Sequence, residues 1–142
     1  LEMATKDPKP AVSSFETLPP VLAAAAYTNN YRSAASSQLI VVDRANNTIS
    51  LQAIAPPTAP ATTPAEGALT RLSLLGITLD PTSPVGFDIS GRSNENQLLM
   101  ARTASSGVFT LYRVNSAATS TPLTAVGPIA GSSNFIDIAI RF

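Results

Sequence analysis

The pattern Val85-Gly86-Phe87-Asp88-Ile89-Ser90 constrains this chain more than any other stretch, because it returns at the C-terminus as Phe135-Ile136-Asp137-Ile138-Ala139-Ile140-Arg141-Phe142. Each copy sets one acid inside an alternating apolar run, which is the signature of a strand. The parts between the copies recur as well. Leu39-x-x-Val42-Asp43-x-Ala45 aligns with Leu111-x-x-Val114-Asn115-x-Ala117, and Leu69-Thr70-x-Leu72-x-x-Leu75 aligns with Leu123-Thr124-x-Val126-x-x-Ile129. A unit of three or four strands, about 50 to 70 residues long, fits propeller blades better than a sandwich. The expected fold is therefore all-β, with antiparallel sheets in propeller-blade-like repeats forming a partial propeller; a β-sandwich is the alternative. A ring usually needs at least four blades, so about two leave it open. Completion then falls to a longer parent chain, to further copies, or to another protein.

The local pattern divides the chain into an extended arm over residues 1–20 and a single all-β domain over 21–142. The arm carries Lys6 and Lys9, prolines at both ends, and an apolar cluster around Phe15 and Leu18, with a short strand expected over 12–17. Residues 21–27 are alanine-rich and helical by propensity, but Pro19-Pro20 and Thr28-Asn29-Asn30 leave them shorter than the ~12 residues at which a helix becomes marginal. A strand of small residues is expected instead. Strands over 38–43 and 48–52 flank Arg44-Ala45-Asn46-Asn47, and asparagine tolerates the positive φ that a tight hairpin requires. Residues 53–66 hold four prolines and read as a loop. Further strands are expected over 68–79, 85–90, 97–102, 108–115, 123–129 and 135–142. In the last, Ile136, Ile138, Ile140 and Phe142 share a face, and burial of each is worth ~1.5–3 kcal/mol, so this strand is expected to be docked.

Composition removes whole classes of chemistry. The chain has no cysteine, histidine or tryptophan, so thiolate nucleophiles, disulfides, zinc sites of the usual kind and His-based acid–base pairs have no residues to use. Nine basic and nine acidic residues cancel, which leaves no field to attract nucleic acid. The longest apolar run is far shorter than the ~20 residues of a membrane-spanning helix. No cofactor is expected, and the partner is expected to be another protein or further copies of the chain.

At Ala24-Ala25-Ala26-Tyr27-Thr28-Asn29-Asn30, at 39–43, at 69–76, at Gly86-Phe87-Asp88-Ile89 and at 111–115, the chain resembles a bacterial family catalogued as domain of unknown function 4394. The resemblance covers the C-terminal half of that family, from about Ala23 onward, and implies a secreted, periplasmic or surface-exposed propeller-type module. Its first half has little counterpart in residues 3–20. The glycine turn after the Leu111 strand is replaced by Asn115-Ser116-Ala117-Ala118, and the proline-asparagine loop is longer. The family brings no catalytic residues with it.

Of the chemistry left, Asp88 and Asp137 are the carboxylate candidates. On equivalent strands they would face one channel, where oxygen ligands hold Ca²⁺ or an acid pair works on a glycosidic bond. Structural roles compete: Asp88 with Arg92, Asp137 with Arg141, or either one accepting backbone hydrogen bonds. Asn29, Asn30, Asn46, Asn47, Asn94 and Asn96 read as turn residues, with a glycan-binding rim as the sharper alternative; Tyr27, Tyr31 and Tyr112 are the residues able to stack on sugar. The expectation is a non-enzymatic, extracytoplasmic structural or interaction subunit, with Phe15, Leu18, Ile136, Ile138, Ile140 and Phe142 as interaction residues. The alternatives are a carboxylate- or calcium-dependent propeller-type enzyme, and a filament subunit that assembles by strand addition.

Overall fold

Eight short strands form two four-stranded antiparallel sheets in a computed structural model that describes residues 18–53, 67–90, 96–117, 122–130 and 135–140. The first sheet contains β1 (Leu22–Tyr27), β2 (Leu39–Asp43), β3 (Thr48–Gln52) and β4 (Leu69–Leu74) in sequential order. The second contains β5 (Gly86–Ile89), β6 (Gln97–Arg102), β7 (Phe109–Val114) and β8 (Leu123–Pro128), also in sequential order. The described residues contain no helix. The all-β class expected from the repeats is therefore present, as two meanders.

Tertiary pairing decides the alanine-rich stretch. β1 lies antiparallel to β2 with Ala25 opposite Val41 and Tyr27 opposite Leu39, and a register shift between Leu22 and Ala24. Between β2 and β3 the turn closes as the asparagines predict, with Asn47 at φ 51°. β4 stops at Leu74, earlier than the expected 68–79. The Leu75 amide turns away to donate to the Asn47 carbonyl at 2.8 Å, and Gly76 follows at φ 72°, a conformation suited to glycine. The chain then runs along the turn between β6 and β7: Leu79 bridges Thr103, the Asp80 amide donates to the Arg102 carbonyl at 2.9 Å, and the Ala104 amide donates to the Thr78 carbonyl at 2.9 Å. Asp80 closes the bend before β5. The Thr82 amide, the Ser83 hydroxyl and the Thr82 hydroxyl all donate to its carboxylate, and together they hold it well below the usual carboxylate range.

One core joins both sheets. Ala26, Ile40, Val42 and Ile49 from the first meet Phe87, Ile89, Leu99, Ala101, Tyr112 and Val114 from the second, with Leu75, Leu79 and Val85 from the link between them. Val41 and Met100 point to the opposite faces of β2 and β6 and are also fully buried. The backbones of the two sheets come together chiefly at their first strands, β1 and β5.

Two expectations are corrected. The Leu39 and Leu111 strands are not equivalent, since β2 is second in its sheet and β7 is third; β4 and β8, by contrast, are both fourth, as their alignment requires. Residues 135–140 form no strand, and Ile136, Ile138 and Ile140 do not share one environment: Ile136 is 81% exposed, whereas Ile138 and Ile140 are half-buried. The segment is docked all the same, through its backbone. An ideal Cβ built on Gly86 would stand 2.8 Å from the Ile138 nitrogen, an approach that only glycine permits. Phe135 packs edge-on against Phe109 at 5.8 Å between centroids, and the Arg102 guanidinium covers the Phe109 ring at 4.7 Å. Phe15, Phe142, Arg92, Arg141, Asn94, the strand expected over 12–17 and most of the proline loop lie outside the described residues.

Candidate functional site

A cleft of about 980 Å³ opens where the first strands of the two sheets and residues 135–140 converge. Its walls come from the end of β1, the loop over 28–38, Phe87 and Asp88 of β5, and Asp137, Ile138 and Ala139. The loop is clamped at its neck by buried Thr28. The Thr28 amide donates to the Gln38 carbonyl at 2.9 Å, the Gln38 amide donates to the Thr28 hydroxyl at 2.9 Å, and the Ser37 hydroxyl donates to the Thr28 carbonyl at 2.6 Å. Inside the loop, the Asn29 side chain donates to the Ser36 carbonyl at 3.1 Å and the Tyr31 amide donates to the Asn29 carbonyl at 2.8 Å. This bonding fixes the loop's shape and turns Tyr27 (50% exposed) and Tyr31 (45% exposed) into the cleft lining, alongside Asn30 and Arg32.

Asp88 and Asp137, expected to face a common channel, both line this cleft. Both accept backbone amides. Asp88 accepts the Ile89 amide on one oxygen at 2.9 Å and the Ile140 amide on the other at 2.6 Å, so it ties residues 135–140 to β5. Asp137 accepts the amide of Ile138 at 2.8 Å, repeating the contact that Asp88 makes with Ile89. Both acids therefore accept backbone hydrogen bonds, one of the alternatives open in the sequence; the pairings with Arg92 and Arg141 involve residues outside those described. Among the described residues no three His, Cys, Asp or Glu side chains gather into a metal-binding group.

Sequence reading treated 44–47 as a turn after the strand that Asp43 closes, and missed what the two connect. Asp43 is fully buried and accepts the Val21 amide at 2.9 Å, the Ala45 amide at 2.9 Å and the Asn46 side-chain amide at 2.7 Å. Asn46 exchanges two hydrogen bonds with the backbone of Leu18, which is itself 51% exposed. The Asn47 side chain accepts the Leu79 amide at 2.8 Å, and the Arg44 guanidinium donates to the carbonyls of Pro81 and Ser83, each at 2.7 Å. The strand-closing Asp was the available signal, because an acid that ends a buried strand must find donors in the turn it enters.

Neither the curated proteins nor the solved structures contain a match to the chain. Residues 4–139 do match a family, and the match takes in the N-terminal stretch that the motif resemblance, beginning near Ala23, left aside. It runs through every strand of both sheets, the Asp43 hub and the cleft-lining segments. The chain belongs to the family described as Domain of unknown function (DUF4394).

Proposed function

We propose that the chain is a non-enzymatic, extracytoplasmic interaction module built from propeller-type blades, and that strands from further copies or another protein complete it. The observation that carries this reading is the arrangement of first strands. β5 lies beside β1, and residues 135–140 lie beside β5, held by the Ile140 amide on Asp88 and by the close approach at Gly86. Successive first strands placed side by side, each followed by its own meander, are what blades around a common axis require. Residues 135–140 stand in the position of a third such strand without a meander of their own among the described residues. In that segment Ile138 and Ile140 are half-buried, and exposed Ile136, together with exposed Leu18 elsewhere on the chain, is an outward interaction residue of the module. The extracytoplasmic setting rests on what the family resemblance implies.

The test is the native mass of the full chain by light scattering. A mass of two or more chains, or co-purification with a stoichiometric partner, is the expected result. A monodisperse single chain that stays folded on heating overturns the reading. A carboxylate-based or calcium-dependent enzyme is the second reading, favoured by the shared cleft of Asp88 and Asp137. It loses ground because both oxygens of Asp88 already accept backbone amides. In the same samples, a thermal transition that rises with Ca²⁺ would favour the second reading over the first.

A further inference from the structure

We propose that the cleft beside the 28–38 loop is a binding site for a neutral saccharide, with Tyr27 and Tyr31 as stacking platforms. This goes beyond the assembly role, since every residue invoked belongs to one chain.

The first ground is the aromatic pair. Tyrosine left half-exposed on a folded surface keeps an apolar ring face and a polar tip in water, which suits a ligand that has both C–H faces and hydroxyls. Tyr27 ends β1 and Tyr31 follows in the loop, so both reach one cleft. Tyr112, the third tyrosine, is buried in the core and takes no part. A second ground is rigidity. The Thr28 clamp joins both ends of the loop through three hydrogen bonds, so the platforms are set before a ligand arrives and little ordering cost remains. The third ground is the polar complement. Asn30, Arg32, Ser33 and Asp137 offer amide, guanidinium, hydroxyl and carboxylate groups around the rings, all of them exposed. Among the described lining residues, one guanidinium set against the carboxylates of Asp88 and Asp137 gives no positive excess, which disfavours phosphorylated or uronic ligands and favours a neutral polyol.

Affinity electrophoresis tests this on the full chain, in native gels containing laminarin, galactomannan or dextran. The wild-type chain is expected to be retarded by at least one of the three. Tyr27→Ala and Tyr31→Ala should each weaken that retardation about tenfold in apparent affinity, while Tyr27→Phe and Tyr31→Phe should keep most of it because the ring face remains. The chain has no tryptophan, and two of its three tyrosines, Tyr27 and Tyr31, line the cleft, so tyrosine emission is sensitive to a ligand bound there. Titrating the wild-type chain with the retarding polysaccharide should change that emission, a readout that holds even if an alanine variant fails to fold. Absence of retardation in all three gels overturns the proposal. So does retardation that folded alanine variants retain in full, or binding with no change in tyrosine emission.

Discussion

Asp43 shows how a single side chain can join the entry to β1 to the turn that follows β2. Its carboxylate is fully buried, yet donors from Val21, Ala45 and Asn46 surround it. Removing the acceptor leaves three part-buried donors without this partner, which costs more than the hydrogen bonds themselves contributed. Asp43→Ala should therefore lower stability by about 3 kcal/mol, read as a shift in the urea midpoint at unchanged slope. Among the described residues, the same substitution at Asp88 touches the link to Ile140 and the neighbouring Ile89 amide, so its effect should be smaller and local. A change at Asp43 within about 0.5 kcal/mol, the range of ordinary surface positions, would show that the hub is dispensable.

Among the elements, the segment over 135–140 depends on the small size of Gly86. A methyl group there would meet the Ile138 nitrogen at 2.8 Å and the Asp137 backbone at 3.1 Å, and backbone atoms cannot rotate aside as a side chain does. Gly86→Ala is expected to cost about 1–3 kcal/mol and to push the segment off β5. Hydrogen exchange at the Ile140 amide reads this directly, because that amide is bonded to Asp88 at 2.6 Å in the docked state. Faster exchange at Ile140, with the amides of β6 and β7 little changed, is the expected outcome. Unchanged protection at Ile140 would mean that the approach at Gly86 does not hold the segment.

Across the whole molecule, a core shared by both sheets ties them into one unit. Ile49 of the first sheet and Leu99 of the second are both fully buried in the same cluster, with Leu75 and Leu79 of the link between them. Urea unfolding should therefore be one transition, coincident by far-ultraviolet circular dichroism and by tyrosine fluorescence, to which Tyr112 of that cluster contributes. Separate midpoints would show that each meander folds alone.

How much of this could be read beforehand follows from what each feature depends on. Turn chemistry and alternation are local, so the hairpin at Asn46-Asn47 and the ends of β3 and β6 were legible residue by residue. The repeat of a lone acid at Asp88 and Asp137 was legible too, and it marked two segments that lie against each other and line one cleft. Strand pairing is not local. Whether 135–140 joins a ladder depends on a partner strand, and its own alternation carries no information about whether one is present. The reach of Asp43 to Val21, the Thr28 clamp on the loop and the contact at Gly86 each join residues that chain folding brings together, and nothing in their spacing announces it. By itself the sequence determined an all-β chain of repeated strands with no thiol or imidazole chemistry, because composition and period belong to the chain alone. Only the tertiary structure decided that Asp88 is a tether and that Tyr27 and Tyr31 share a cleft, because hydrogen-bond partners and common walls exist only once distant segments have packed together.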